Sequence, residues 1–168
     1  ATSISALTIA IGSGSDASAN RSVALGTEAS SRGAYSISLG TKSETRGESS
    51  VALGYKASAS VNNGLSLGTS SSSTAIGSVA LGHEATADRA GGLKAYSVLT
   101  NSQTGEASTS GAVSVGSTTV KRQIINVAGG SDDYDAVNVK QLKELQSTLP
   151  SISVEGKTPA GEEYVGGN

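Results

Sequence analysis

Glycines and an aspartate near the amino terminus have the spacing of two known ligand-binding loops. The segment GSGSDA at 12–17 nearly matches the G-x-G-x-x-G/A fingerprint of dinucleotide-binding folds. That fingerprint needs a helix directly after it, whereas here the next strand pattern begins at Val23. The same residues resemble half of a calcium-binding nonapeptide, but Asp16 has no counterpart 14 residues further on, as a tandem motif requires. We therefore expect neither a dinucleotide nor a calcium ion at this loop.

Few other residues carry side chains suited to catalysis or metal binding. His83 is the only histidine, and no serine and aspartate can be placed beside it as a catalytic group requires. Asp132, Asp133 and Asp135 could hold an ion, but they precede an apolar run, as aspartates do at the start of a helix. Asn20 opens a glycosylation sequon that we treat as chance. We expect no enzyme activity, no cofactor and no metal site.

The composition predicts a folded chain with a thin hydrophobic core. Phe, Trp, Met and Cys are absent, and Val, Ile and Leu together make up about a fifth of the 168 residues. The net charge of −2 is too small to favour disorder, and the chain has no basic cluster for nucleic acid. No apolar run reaches the length of a membrane span. Repetition or oligomerisation would compensate for the small core.

The phrase SVALG recurs and sets a period of 14 residues. Six glycines fall on this beat: Gly12, Gly26, Gly40, Gly54, Gly68 and Gly82. Two aliphatic residues, two positions apart, precede each glycine: Ile9, Ile11, Val23, Leu25, Ile37, Leu39, Val51, Leu53, Leu65, Leu67, Val79 and Leu81. Alternate residues share one face of a strand, so these aliphatics predict an inward-facing core ladder. Glycine tolerates positive φ, which predicts a sharp turn after each strand.

Each repeat therefore predicts one coil of a solenoid, with a short strand and a polar return. The third residue after each glycine is always alanine or serine, which predicts a tight inner corner. A 14-residue coil encloses little interior, so one flank stays open unless another chain covers it, and we expect a homo-oligomer. The positions directly after each glycine vary most. Among them, Tyr55, Lys56, His83 and Glu84 are the candidate ligand-binding residues.

The beat is lost over 84–115, and AVSVG then returns at 112–116. We interpret 84–115 as an insertion or a longer loop. Further on, Leu142, Leu145 and Leu149 follow the 3–4 spacing of a coiled coil. We read the sequence as a piece of a longer protein.

The repeat and the segment after it together resemble one known family. SVALG with its 14-residue period resembles the head of trimeric autotransporter adhesins, the YadA-like heads. KRQIINVAGGSDDYDAVNVKQL at 121–142 is similar to the neck that joins such a head to its coiled-coil stalk. The resemblance covers about 22–142, most of the chain. It implies a homotrimer of left-handed parallel β-rolls on the outer membrane of a Gram-negative bacterium, binding host cells or extracellular matrix proteins.

Carried onto this sequence, the resemblance implies a β-roll head at 1–120, a neck at 121–138 and a short trimeric coiled coil at 139–150. Pro150 predicts the end of the helix, and the residues at 151–168 predict the start of a further small module that the resemblance does not assign. The neck residues that it implies are Arg122, Asn126, Asp132, Asp133, Asp135 and Asn138.

Three other functions are alternatives. The segment could be a non-binding spacer of the fibre. A left-handed β-helix acyltransferase would have hexapeptide periodicity, with coils of about 18 residues, and usually a catalytic histidine. The period here is 14, and His83 is an unsupported candidate. An ice-binding solenoid needs a regular column of one residue type, whereas Tyr55 and His83 interrupt the threonines at 27, 41 and 69.

Overall fold

The chain forms two compact units. A computed structural model describes residues 1–3, 5–97, 102–149, 156–157 and 163–164. The first unit is Ala1–Arg122 and the second is Gln123–Asn168.

The first unit is a solenoid that contains two parallel sheets of seven strands each. The long-strand sheet contains β2 (Ile9–Ile11), β4 (Val23–Leu25), β6 (Ile37–Leu39), β8 (Val51–Leu53), β10 (Leu65–Leu67), β12 (Val79–Leu81) and the shorter β16 (Val113–Ser114), in that order. The short-strand sheet contains β1 (Thr2–Ser3), β3 (Asp16–Ala17), β5 (Ser30–Ser31), β7 (Glu44–Thr45), β9 (Ser58–Ala59), β11 (Ser72–Ser73) and β13 (Thr86–Ala87).

The register between strands follows the sequence period. Leu65 pairs with Val79, and Leu67 pairs with Leu81, so each coil stacks on its equivalent 14 residues later. This pairing confirms the predicted parallel solenoid with 14-residue coils. The sequence predicted one strand per coil, and the structure has a second strand of two residues. Two residues are too few to show an alternating pattern, so periodicity could not reveal it.

The interior of the solenoid contains only small side chains. In the described part of the chain, every buried hydrophobic side chain is alanine, and the buried polar side chains are serines together with Thr45. The alanine or serine three positions after each glycine is buried in all six coils, which confirms the tight inner corner: Ser15, Ala29, Ser43, Ala57, Ser71 and Ala85.

The aliphatic residues lie on the outer face of the long-strand sheet. Ala52 is fully buried, whereas its neighbour Leu53 is 41% exposed. The prediction of an inward core ladder is therefore wrong, because a coil of this length has no room for two branched side chains per layer. Alanine or serine fills that space instead. The residues that line the outer face are Ile9, Ile11, Val23, Leu25, Ile37, Leu39, Val51, Leu53, Leu65, Leu67, Val79 and Leu81.

The buried serines donate hydrogen bonds to the backbone. Ser43 Oγ donates to the Gly40 carbonyl at 2.8 Å, and Ser50 Oγ donates to the Gly47 carbonyl at 2.7 Å. Thr45 Oγ1 donates to Ser36 Oγ at 2.9 Å. A buried hydroxyl with a partner avoids the desolvation penalty of an unpaired one. Serine therefore serves as a core residue here.

The backbone conformation and the close approach of the next coil both require glycine at the six repeat positions. Their φ angles lie between +111° and +137°, which confirms the predicted turns. A Cβ on Gly54 would lie 2.6 Å from the carbonyl oxygen of Gly68 in the next coil. The column of glycines therefore lets successive coils approach at the spacing of hydrogen-bonded strands.

The regular beat extends through Ala87, because β13 pairs in register with β11. It therefore ends four residues later than the sequence indicated. The interval that follows contains an antiparallel hairpin of β14 (Lys94–Ser97) and β15 (Ser102–Ala107). The chain then returns to the solenoid, where Val113 in β16 pairs with Val79.

Arg122 closes the carboxyl end of the solenoid. In earlier coils, the carbonyl of the residue after each repeat glycine accepts a backbone N–H from the next coil, as Thr69 accepts from Glu84 at 2.9 Å. The His83 carbonyl instead accepts from the Arg122 guanidinium at 2.7 Å, and the same guanidinium donates to the Val115 carbonyl at 2.6 Å. A Cβ on Gly82 would lie 3.0 Å from this guanidinium, where the other glycines face the backbone of the next coil. Arg122 thus takes the place of a further coil.

The second unit contains helix α1 (Val139–Thr148). Asn138 caps the helix, since its side chain accepts from the Gln141 N–H and the Gln141 side chain accepts from the Asn138 N–H. The prediction that the aspartates occupy the helix start is wrong. Even Asp135 lies three residues before the cap, and the helix dipole acts only over the first turn. Pro150, the predicted helix stop, lies outside the described residues.

Most of the module predicted at 151–168 also lies outside the described residues. Within it, β17 (Gly156–Lys157) pairs antiparallel with β18 (Glu163–Tyr164).

We predict that the interior position 52 accepts serine but not leucine. Ala52→Leu inserts a branched side chain into a fully buried site, and we expect a loss of about 1–3 kcal/mol or more in the free energy of unfolding. Ala52→Ser is the matched control, because serine occupies the equivalent positions 38 and 66. Thermal unfolding followed by circular dichroism measures both. Equal melting temperatures for the two variants would show that position 52 does not face the interior.

We predict that Arg122→Ala loosens the last coils without affecting distant ones. Two hydrogen bonds to backbone carbonyls are lost, at about 0.5–1.5 kcal/mol each. Hydrogen exchange should become faster at the amides of Glu84 and Thr86 and stay unchanged at Lys42. Lys121→Ala is the control, since its ammonium contacts only the nearby carbonyls of Ser117 and Thr118. An unchanged exchange pattern in Arg122→Ala would contradict the capping role.

Candidate functional site

Each coil presents an exposed corner directly after its repeat glycine, which we call the glycine corner. It contains the pairs Thr27–Glu28, Thr41–Lys42, Tyr55–Lys56, Thr69–Ser70 and His83–Glu84. The second residue of each pair has a left-handed backbone, with φ between 55° and 59°. Its N–H donates to the previous coil, as Lys56 does to the Thr41 carbonyl at 3.0 Å. The corner backbone is therefore fixed while its side chains point to solvent.

The four predicted ligand-binding residues lie in this one column. The Lys56 ammonium lies 5.2 Å from the centre of the Tyr55 ring, which is a cation–π contact on a side chain that is 46% exposed. His83 Nδ1 lies 3.2 Å from the Thr69 carbonyl oxygen, and its Nε2 lies 3.4 Å from Glu84 Oε1. The two pairs are two coils apart, so their backbones are separated by about 10 Å. The structure thus places them on one surface with both signs of charge.

A second exposed corner precedes each long strand, and the sequence analysis missed it. We call it the opposite corner. It contains a column of left-handed residues with φ between 55° and 67°: Leu7, Arg21, Tyr35, Ser49, Asn63 and Gly77. Asn63 and Gly77, two residue types that tolerate this conformation, recur at the 14-residue spacing and were the available signal. The bulky residues at other positions of the column hid this repeated signal in the sequence.

The bulky side chains at the opposite corner are unfavourable for the fold. A left-handed conformation costs most L-residues roughly 1–2 kcal/mol, and glycine or asparagine much less. Leu7 is nevertheless 76% exposed at φ 59°, and Tyr35 is 47% exposed at φ 60°. Arg21 lies between them along the column, with its guanidinium 5.4 Å from the centre of the Tyr35 ring and one N–H donated to the Tyr35 hydroxyl at 3.1 Å.

The outer face of the short-strand sheet carries a chain of ion pairs. The Arg32 guanidinium lies 3.5 Å from the Asp16 carboxylate and 3.0 Å from the Glu44 carboxylate. Glu44 also pairs with Arg46 at 2.8 Å. Exposed pairs of this kind contribute little stability, and here they neutralise one another. We infer that this face mainly keeps the solenoid hydrated.

A groove of about 570 Å³ lies at the carboxyl end of the solenoid, lined by residues of β13, β16 and the segment that leads to Arg122. Its wall includes Thr86, Val113 and Ser114, from the last strand of each sheet. The groove is therefore the end surface of the stacked coils.

The neck residues of the second unit make local contacts within the chain. Asp135 Oδ2 accepts from the Ser131 N–H at 2.8 Å and from the Asp132 N–H at 3.1 Å. These backbone hydrogen bonds lower the pKa of Asp135, because they favour its charged form. Asn138 also donates to the Val127 carbonyl at 3.1 Å, and Asn126 has a left-handed φ of 61°. The neck is thus largely irregular chain with one turn at 133–134, and its side chains hydrogen-bond to backbone groups.

Exposed leucines line the helix that follows the neck. Leu142, Leu145 and Leu149 are 60%, 55% and 61% exposed. Within the described residues, no helix is both long and apolar enough to cross a bilayer. Leu142 and Leu145 therefore form an apolar strip on a short amphipathic helix, whereas Leu149 lies one residue beyond its end and has an extended backbone.

Comparison with protein families matches both units. The YadA head domain repeat matches six overlapping segments: 6–29, 17–43, 31–57, 46–71, 62–85 and 73–92. The coiled stalk of trimeric autotransporter adhesins matches 123–156. The head matches alone extend over more than half of the chain. A search of curated proteins gave no match.

Two solved structures are similar to the chain. The C-terminal YadA-like domain of BPSL2063 from Burkholderia pseudomallei is 30% identical, with a TM-score of 0.41 over 61% of this chain and 44% of that one. The collagen-binding domain of the Yersinia adhesin YadA is 22% identical, with a TM-score of 0.33 over 85% of this chain and 86% of that one. The chain spans less than half of the Burkholderia domain structure that it matches. On the family matches and the repeat that carries them, the chain belongs to the trimeric autotransporter adhesins and has a head of the YadA type.

Proposed function

We propose that this chain is the adhesive head segment of a homotrimeric fibre that attaches bacteria to host cells or to extracellular matrix. The observation that carries the proposal is the division of the solenoid surface. One outer face carries a continuous aliphatic stripe, and the corners beside it carry exposed, varied side chains on a fixed backbone. The stripe suits assembly with further copies, and the corners suit contact with other molecules. Display at the outer membrane of a Gram-negative bacterium is part of the proposal.

The stripe supports assembly because it is contiguous and apolar. Ile9 and Ile11 are 51% and 57% exposed, and Leu25, Leu53 and Leu81 are 38–47% exposed on successive alternate coils. Monomeric proteins rarely leave so continuous an apolar surface in water, and other chains are the usual cover. A symmetric trimer would bring three stripes together into the apolar core that a single coil is too narrow to contain.

The second unit supports the same assembly state. Helix α1 has 10 residues, too short to be stable alone in water. Leu142, Leu145 and Leu149 have the spacing of a coiled coil, so three copies would bury them at one seam. In this proposal the charged neck residues Arg122, Asp132, Asp133 and Asp135 help to hold neighbouring subunits together.

Attachment in this proposal comes from many weak contacts. The glycine corner repeats along the solenoid and would be present three times around a trimer. Weak single contacts then combine through high effective concentration. The alternative is a spacer role, and it is favoured by the serines and threonines that occupy several corners, such as Thr69–Ser70. Attachment of coated beads to host surfaces distinguishes the adhesive role from the spacer role.

We predict that Leu53→Asp dissociates the assembly but leaves the coils folded. The carboxylate would be buried against apolar side chains of the other subunits without a partner. In one chain, however, position 53 is on the outer face. The mass measured by light scattering after size exclusion should fall from that of three chains to that of one, while the β signal in circular dichroism remains. Ser70→Asp adds the same charge at the glycine corner and should stay trimeric. A wild-type chain that is monomeric at micromolar concentration would refute the proposed trimer.

We predict that beads coated with the trimer attach to epithelial cells or to immobilised collagen, fibronectin or laminin above an albumin control. Replacing Tyr55, Lys56, His83 and Glu84 together with serine should leave the trimer intact and reduce attachment. The paired change Arg32→Ser and Glu44→Ser is the control, because it removes side chains of both charges from the short-strand face. Wild-type beads that never exceed albumin would identify the segment as a spacer.

A further inference from the structure

The opposite corner combines three exposed side chains that the fold does not need. Leu7, Arg21 and Tyr35 stand in successive coils of one column, each with a left-handed backbone. The same column contains Ser49, Asn63 and Gly77 in later coils, with the same backbone and without bulky side chains. The corner therefore forms without bulky side chains. The three larger side chains add exposed surface at an energetic cost to the fold.

The chemistry of this column points to an anionic partner with an apolar side. Within the part of the chain that the structure describes, the ion pairs that join separate coils involve Arg32 and Lys42. Arg21 forms no ion pair with a carboxylate among these residues. Arg21 donates one N–H to the Tyr35 hydroxyl and lies over its ring, which leaves most of its five donors directed to solvent. Leu7 supplies apolar surface one coil away.

We propose that Leu7, Arg21 and Tyr35 form a second docking surface, which binds an acidic segment of a host protein in which a carboxylate neighbours an apolar side chain. The proposal rests on the proposed attachment of the head to a host surface. It names a class of partner for the opposite corner, whereas the proposed function concerned the glycine corner. The Arg21 guanidinium would hold the carboxylate bidentately, with Tyr35 orienting it from below. Leu7 would cover the apolar side chain.

A protein segment fits better than a polyanionic glycan. The column has one cation, with an apolar side chain in the coil before it and an aromatic side chain in the coil after it. Polyanions are bound by clusters of basic residues, and this chain has a net charge of −2. Arginine and tyrosine are also the residues that most often dominate protein–protein contacts.

The test uses the full chain and a variant with Leu7→Asn, Arg21→Asn and Tyr35→Asn. Asparagine occupies the same column at Asn63 with φ 56°, so the variant should have an unchanged or higher melting temperature and remain in the same assembly state. Ser49→Asn is the matched control on the same corner. Protein-coated beads are applied to immobilised peptides of repeated Gly-Leu-Asp, Gly-Leu-Lys and Gly-Ser-Asp, to heparin and to epithelial cells.

We expect wild-type and Ser49→Asn beads to be retained on Gly-Leu-Asp about tenfold more than on the other two peptides, through several weak contacts acting together. The triple variant should lose that difference. Equal retention of the triple variant and the wild type on Gly-Leu-Asp, equal wild-type retention on Gly-Leu-Lys, or preference for heparin would each overturn the inference. Dissociation of the triple variant would also overturn it, by placing the column in a subunit interface.

The cell arm separates this inference from the proposed function. Wild-type beads that attach to cells while the triple variant attaches equally well would overturn the second docking surface and leave the adhesive function standing. Wild-type beads that attach to no host surface would refute the adhesive function, and the peptide arm would still decide what the column binds.

Discussion

The small cross-section of a 14-residue coil is the constraint on which the rest of this structure depends. The parallel strands of successive coils lie about 4.8 Å apart, and the buried residues between the two sheets, among those that the structure describes, are alanine, serine, glycine and one threonine. The larger aliphatic residues are therefore excluded to the outer face. Because the chain's aliphatic surface lies outside its own interior, the proposed assembly of several copies would supply the apolar core that one chain lacks.

The sequence predicted the period, the glycine turns and the tight inner corner, because each leaves a repeated residue type at a fixed position. It could not predict which side of the strand faces inward. Alternation shows that Val51 and Leu53 share a face, but the usual rule that aliphatics are buried fails where the interior is too narrow. Serine gave a second misleading signal. Outside the predicted inner corner, its polar hydroxyl is also buried, and Ser50 donates to the Gly47 carbonyl three residues earlier.

The elements that sequence reasoning missed are set by single contacts and not by patterns. Asn138 and Gln141 cap α1, but the three aspartates before them led the sequence analysis to place the helix start too early. Asp135 instead accepts hydrogen bonds from the nearby backbone of Ser131 and Asp132. Arg122 was assigned to the neck by resemblance, but its role as the last hydrogen-bond donor of the solenoid depends on carbonyls 7 and 39 residues away. No local sequence signal encodes such a contact. The opposite corner was hidden for a different reason, because its left-handed column accepts residues as different as Leu7 and Gly77.

A solenoid of this kind separates the residues that fold from the residues that vary. Coils are joined by backbone hydrogen bonds at both corners, as when Tyr35 donates to the Asn20 carbonyl and Lys56 donates to the Thr41 carbonyl. These backbone hydrogen bonds do not depend on which side chain the corner carries. A change there alters the surface chemistry at a cost limited to the local backbone preference, and it repeats in each subunit of an assembly. The same backbone can therefore carry a threonine corner in one coil and a tyrosine–lysine corner in the next.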